Sequence, residues 1–394
     1  NARRRVNLPV PVALNRLAAA LRVFSLGIAL LVLAQTTRIR LDVPLHPMIR
    51  LLALTMLLWV ASGCRAQVSP PPLESQRSVD VQQPLTHRPV AAPPAVTGRQ
   101  PLLWVSLAAH LGARADAAPL TLTAASGSLS LEDRSGRRWS AASVQISWRS
   151  VPLEQPMALA RRVAGPFASF ESAERVALRW RALGVAAEVA HPADWEVWAP
   201  AGAPAPGGLP VRDWSSRMES SVEPVLQLPE GGTTPKGPLQ IDAPGGLRWG
   251  KGVFQGPFRL QRDAYGSWTL VEQVPLERYL EGVVPHEIGA GSPPAALQAQ
   301  TVLARTWALA NSHRFRIDGY HLCSDTQCQV YSDPRQAGSA VRQAITATQG
   351  RLLSWQGKPI SAVYHATNGG VMAAGPEAWA MDAQPYLKAE ADGD

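Results

Sequence analysis

The chain holds 394 residues, 46% of them hydrophobic, which is enough for one large core or two modest ones and too apolar for a disordered tail. Its formal charge is +8, but residues 1–63 hold eight arginines against the single acid Asp42, leaving 30 basic and 29 acidic residues for the remainder. A surface so balanced lacks the clustered cations that phosphate binding needs, so no nucleic-acid partner is expected.

In chain order, the first feature is an apolar run of about 12 residues, 23–34, too short to span a bilayer unless it extends back past Arg22. The chain begins with Asn1, and residues 1–47 are read as an upstream extension or leader ahead of a true start at Met48. A transmembrane helix over 17–34 is the other reading. From Met48 the order is Arg50, an apolar run over 51–60, then Ala61-Ser62-Gly63-Cys64. A charged start, an apolar middle and small residues before a cysteine resemble a bacterial lipoprotein signal peptide at 48–63. The resemblance implies acylation of Cys64, a lipid anchor and an exported, periplasmic or cell-envelope location. An ordinary signal peptide, or an uncleaved anchor, with Cys64 a bystander, is the alternative.

Residues 64–101, with Pro70-Pro71-Pro72 and Pro93-Pro94, show no hydrophobic period and are predicted to be a disordered linker. Strands are predicted within 102–150, where apolar residues alternate, as in Leu120-Thr121-Leu122-Thr123. Residues 160–200 read as strand, helix and strand, with Gly165-Pro166-Phe167-Ala168-Ser169-Phe170-Glu171-Ser172-Ala173-Glu174-Arg175 followed by a helical pattern through Leu183. This unit resembles the SPOR-like module, associated elsewhere with denuded glycan strands. A structural βαβ insertion that binds nothing fits as well. Strands resume over 239–275, so the β segments flanking the insertion are expected to share one domain.

A short helix over 276–283 leads into Val284-Pro285-His286-Glu287-Ile288-Gly289. Ser292-Pro293-Pro294 then predicts a helix start with Ser292 as N-cap, the helix running through Asn311 with Leu303 and Trp307 on a core-facing stripe. Glu287 sits among Val283, Val284, Pro285 and Ile288, the apolar kind of setting that lets a carboxylic acid act as a proton donor. Glu277 and Glu281 read as solvated or paired with Arg278. The phrase through Ala295-Ala296-Leu297-Gln298-Ala299-Gln300 to Ala304-Arg305 resembles the signature of the SpoIID/LytB family, whose members act on bacterial peptidoglycan.

That resemblance implies an α+β fold: a SpoIID-like domain over 102–394 with a β-rich N-terminal part, a helical catalytic core and the SPOR-like insertion at 160–200. Relatives continue beyond Asp394, so a C-terminal piece is expected to be missing. The resemblance makes Glu287 catalytic; its other reading is a glutamate that caps a loop. Hydrolytic glycosidases need two carboxylates, whereas a lytic transglycosylase manages with one, because the C6 hydroxyl of the muramic acid attacks in place of water. A non-catalytic amidase enhancer that stimulates a separate cell-wall hydrolase is the competing function. Substrate contacts are implied for Gln300, Arg305, Gln329, Tyr331, His365, Thr367, Asn368, Gly369 and Gly370, with Asn368 standing where a serine is usual. Cys323 and Cys328 are expected to form a disulfide, with two alternatives, that with His321 they supply three ligands of a structural zinc or that they stay free thiols; no cofactor is required. The partners implied are peptidoglycan glycan strands, a cell-wall amidase and, through the lipid anchor, the membrane.

Overall fold

Strict alternation shapes the first strands: in Leu120-Thr121-Leu122 the leucines are buried and the threonine exposed. The chain builds β1 (Leu102–Leu111), β2 (Leu120–Ala124), β3 (Leu129–Glu132), β4 (Arg138–Ala141) and β5 (Ser143–Phe167). Then come α1 (Phe170–Ala182), β6 (Glu188–Ala190), β7 (Trp195–Pro200), β8 (Val211–Leu228) and β9 (Gly231–Thr233). Five strands follow: β10 (Leu239–Asp242), β11 (Leu247–Trp249), β12 (Gly252–Phe254), β13 (Phe258–Arg262) and β14 (Trp268–Pro275). The helical part comprises α2 (Leu276–Val284), α3 (Pro294–Ala310) and α4 (Ser339–Ala347), with β15 (Leu322–Cys323) between α3 and α4 and a small hairpin, β16 (Ser354–Trp355) and β17 (Lys358–Pro359), after them. This computed structural model describes residues 84–228, 231–379 and 381–392. The predicted leader, signal sequence and Cys64 lie outside the described residues. No helix among the described residues is long and apolar enough to cross a membrane.

One sheet has seven strands in the order β15-β1-β14-β13-β10-β3-β4. A second runs β12-β11-β2-β5-β7-β6, with β8 also paired to β5. Strands from before and after the insertion pair with each other in the first sheet: β1 lies on β14, and β3 on β10. Their inward residues, among them Leu103, Leu122, Leu131, Ile146, Ile241, Phe258 and Trp268, form one core with Tyr279, Leu280 and Val283 of α2 and Leu297, Ala304 and Ala308 of α3. Each fully buried aliphatic or aromatic side chain contributes about 1.5–3 kcal/mol, so the helices are anchored where the site will be built. Buried on every residue but its last, β14 ends at α2 and fixes where that helix starts.

The insertion is continuous with the sheets. β5 runs for 25 residues and pairs with β8 from Gln145↔Gln227 to Ala164↔Val211, its register shifting between Pro152 and Met157. Its far end carries β7, and β7 carries β6. α1 buries Phe170, Ala173, Val176, Ala177 and Trp180 against Trp195, Val197 and Ala199, in a cluster that also takes in Phe315, Tyr320 and Cys323 from beyond α3. Ser169 caps α1 by accepting from the Ser172 N–H at 3.2 Å.

Several expectations change. Residues 84–101, the end of the predicted linker, lie along the fold: Leu85 exchanges backbone hydrogen bonds with Ala158 and Ala160, and Arg88 is buried. Ser292 does not cap α3, because its hydroxyl donates back to the Ile288 carbonyl at 2.7 Å, and the helix starts at Pro294 behind Pro293. Glu277 pairs with Arg305 rather than Arg278, which pairs with Glu281.

Candidate active site

α2 runs into Pro285, and the chain widens into a π-helical turn, Pro285–Gly289, that carries Glu287; such turns recur at functional sites. Gly289, at φ +86°, closes the turn. Glu287 is half-buried, and its Oε1 accepts the Val330 N–H at 3.1 Å. The 329–332 segment that supplies this N–H is pinned from both sides. Ser332 N–H donates to the Gly282 carbonyl at 3.0 Å, and Tyr331 N–H to Ser324 at 3.0 Å. Gly282 allows the approach: a Cβ there would lie 2.5 Å from the Ser332 carbonyl oxygen and from the Tyr331 ring.

Glu287 lines a cleft of about 380 Å³ together with Val330, Val363, Tyr364, Trp307, Arg314, Gln327 and Trp379. Ser169, Phe170 and Glu171, at the start of α1, line the same cleft. Glu171 forms an ion pair with Arg314, whose guanidinium is 5% exposed and also donates to Asn311 Oδ1 at 3.1 Å.

Beside Glu287 lies a network of amides and phenols. The Gln329 amide, buried, donates to the Tyr364 hydroxyl at 2.9 Å, while its carbonyl oxygen accepts from the Tyr279 hydroxyl at 3.1 Å. Burial, and next the negative charge of Glu287, push the Tyr364 phenol above its ordinary range. Gln300 faces the same hydroxyl, yet among the described residues its buried Nε2 has no hydrogen-bond partner of good geometry. An unmet buried donor is uncommon and calls for a reason such as ligand binding. The network joins Gln300 and Gln329, both expected in the site, to Tyr364, which motif reading passed over.

His365, Thr367 and Asn368 line an adjoining cavity of about 460 Å³ that shares Val363 and Trp379 with the first. Gly369 and Gly370 take φ of +66° and +97° in a turn closed by Asn368, whose Oδ1 accepts the Gly370 N–H at 2.9 Å and whose amide donates to Asp392 at 2.6 Å.

Two expected substrate contacts lie elsewhere. Arg305 is 1% exposed, held by both Glu277 oxygens at 2.9 and 2.7 Å and within reach of the Arg351 carbonyl, so it braces the helices instead of facing the cleft. Tyr331 is buried against Tyr279, and its hydroxyl donates to Glu272 at 2.9 Å. The zinc alternative is not supported by the donors present. Cys323 and Cys328 form a disulfide, and both nitrogens of His321 are taken, Nδ1 by the Trp104 N–H at 2.8 Å and Nε2 by the Pro94 carbonyl at 2.8 Å. The disulfide closes the loop whose Gln327 borders the cleft.

Among the described residues, fold and cleft together define an α+β protein whose cleft presents, in Glu287, a carboxylate outside any ion pair, beside aromatic and amide groups. Residues 264–355 match the family model described as stage II sporulation protein (SpoIID). It is 37% identical over 134 residues to stage II sporulation protein D of Bacillus amyloliquefaciens, and 34% over 133 residues to that of Bacillus subtilis (strain 168). Each match takes in 30% of this chain and 38% of the relative, so the chain spans about two-fifths of the length of the curated relatives it matches. Similarity also extends to an amidase enhancer of Bacillus subtilis (strain 168), 36% identical over 113 residues, 29% of this chain and 15% of the relative.

Proposed function

We propose that this protein is an exported, lipid-anchored lytic transglycosylase that cleaves the MurNAc-GlcNAc bond of peptidoglycan glycan strands, with Glu287 as both acid and base. The observation that carries the reading is that, among the described residues, two carboxylates line the cleft, of which Glu171 is held by Arg314 and Glu287 is outside any ion pair. A hydrolase acting through two carboxylates would need a second free one. In the proposed reaction Glu287 gives its proton to the glycosidic oxygen as the C1–O bond breaks. The muramic acid C6 hydroxyl then attacks C1 and returns its proton to Glu287, so water takes no part and the carboxyl group ends as it began. Tyr364 and the amides of Gln300 and Gln329 hold the carboxylate's side of the cleft in place, the preorganisation that lowers such barriers.

The likeness to an amidase enhancer favours a second reading, a non-catalytic wall protein that stimulates a separate amidase. Incubation of the purified protein with denuded glycan strands separates the two. The transglycosylase releases 1,6-anhydromuramoyl ends, and Glu287→Gln abolishes that release while glycan binding persists. Equal release by both proteins rejects Glu287 as the acid.

A further inference from the structure

The proposed chemistry makes no use of the insertion, yet the insertion reaches the cleft. Ser169, Phe170 and Glu171, the cap and first turn of α1, lie on the same cavity as Glu287, Tyr364 and Trp379. Their position is fixed by contacts to the segment beyond α3. Arg314, paired with Glu171, sits over the rings of Phe170 and Trp307 at 4.4 and 4.8 Å. The Trp195 indole N–H donates to Gln327 Oε1 at 3.1 Å, and His313 Nε2 lies 2.6 Å from Glu174. Phe170 meets Trp195 and His313 edge to face. A unit so bonded is not a separate module that swings on a tether.

We infer that the insertion forms one wall of the glycan cleft, where Ser169 and the first turn of α1 help to select the sugar that enters. The inference rests on reading the cleft as a glycan site. With Arg314 neutralised by Glu171, the cleft offers, besides Glu287, the Thr326 and Ser169 hydroxyls, the Gln327 amide and aromatic surface from Trp379. Such a lining suits the hydroxyl and acetamido groups of a neutral hexosamine better than an acidic peptide stem.

The test is carried out on the full chain carrying Glu287→Gln, so that binding is read without turnover, with denuded glycan oligosaccharides as the probe. Ser169→Tyr places a bulky ring in the cleft mouth. Leu178→Tyr, on the outer face of α1 where Leu178 is 56% exposed, is the control. The expected result is a rise in Kd of about tenfold or more for Ser169→Tyr and no change for Leu178→Tyr. Hydrogen exchange in the Glu287→Gln chain, which needs no change in the insertion, is expected to slow over residues 169–172 on adding glycan, and it decides the matter should Ser169→Tyr fail to fold. Unchanged affinity in Ser169→Tyr, or no slowing over 169–172, overturns the inference while leaving the proposed reaction intact. Absence of glycan binding by the Glu287→Gln chain itself overturns both.

Discussion

Tyr364 is the residue whose removal is most informative. Its hydroxyl accepts from Gln329 and feels the charge of Glu287, and Tyr364→Phe deletes that hydroxyl with little change in packing. Polar interactions with a charged group are worth about 1.5–3 kcal/mol, so kcat is expected to fall on the order of tenfold to a hundredfold with KM and the melting temperature nearly unchanged. A fall in melting temperature with kcat intact would mean that Tyr364 only packs. Motif reading reached Glu287, Gln300 and Gln329 because they lie in contiguous phrases, but it could not reach Tyr364, which stands one place before the His365 phrase and meets Glu287 only through the fold. The same limit explains Arg305: five positions beyond Gln300, it is turned about 140° around the helix axis, so the two cannot share a face.

Among the elements, α1 and the π-helical turn both line the cleft. The Glu171–Arg314 pair between α1 and the segment after α3 is buried, at 15% and 5% side-chain exposure. Glu171→Gln would leave a guanidinium buried without its counter-ion, a cost of about 3–5 kcal/mol that urea denaturation would read as a lower midpoint. Glu174→Gln breaks a pair exposed to 27% and 48%, and is expected to cost about 0–1 kcal/mol. Equal midpoints for the two variants would show that Arg314 finds another partner. Sequence alone revealed the helix of the insertion but not its contact with residue 314, which lies 143 positions away. Nor was the long β5–β8 ribbon legible. Prolines weaken a strand ladder, and the ribbon carries Pro152 and Pro156 at an exposed irregularity between Pro152 and Met157.

At the level of the whole molecule, strands within 102–150 and 239–275 and the helix α3 were legible because alternation and apolar spacing are set by burial. The α+β class came with the family resemblance, and the buried face of α3 runs through Leu297, Ala304 and Ala308 instead of Leu303. Which strands pair was hidden, since β1–β14 and β3–β10 join segments separated by the insertion. Glu272 in the shared core makes stability depend on pH. Burial, opposed by N–H bonds from Gly256 and Gln255 and by the Tyr331 hydroxyl, pushes Glu272 above its ordinary range. A raised folded pKa gives stabilisation that is complete below the unfolded value and is lost as pH rises through the folded one. Glu272→Gln can offer its oxygen to both amides and its NH2 to Tyr331. Its unfolding midpoint is therefore expected to gain on that of the unaltered protein as pH goes from about 4 to about 8, and a gap that stays constant contradicts this. For the reaction itself, the most direct measurement is digestion of denuded glycan strands in water labelled with a heavy oxygen isotope, followed by mass analysis of the new ends. Attack by the sugar's own hydroxyl requires unlabelled 1,6-anhydromuramoyl ends in every product; label at a new reducing end, or no cleavage at all, contradicts catalysis by Glu287 alone.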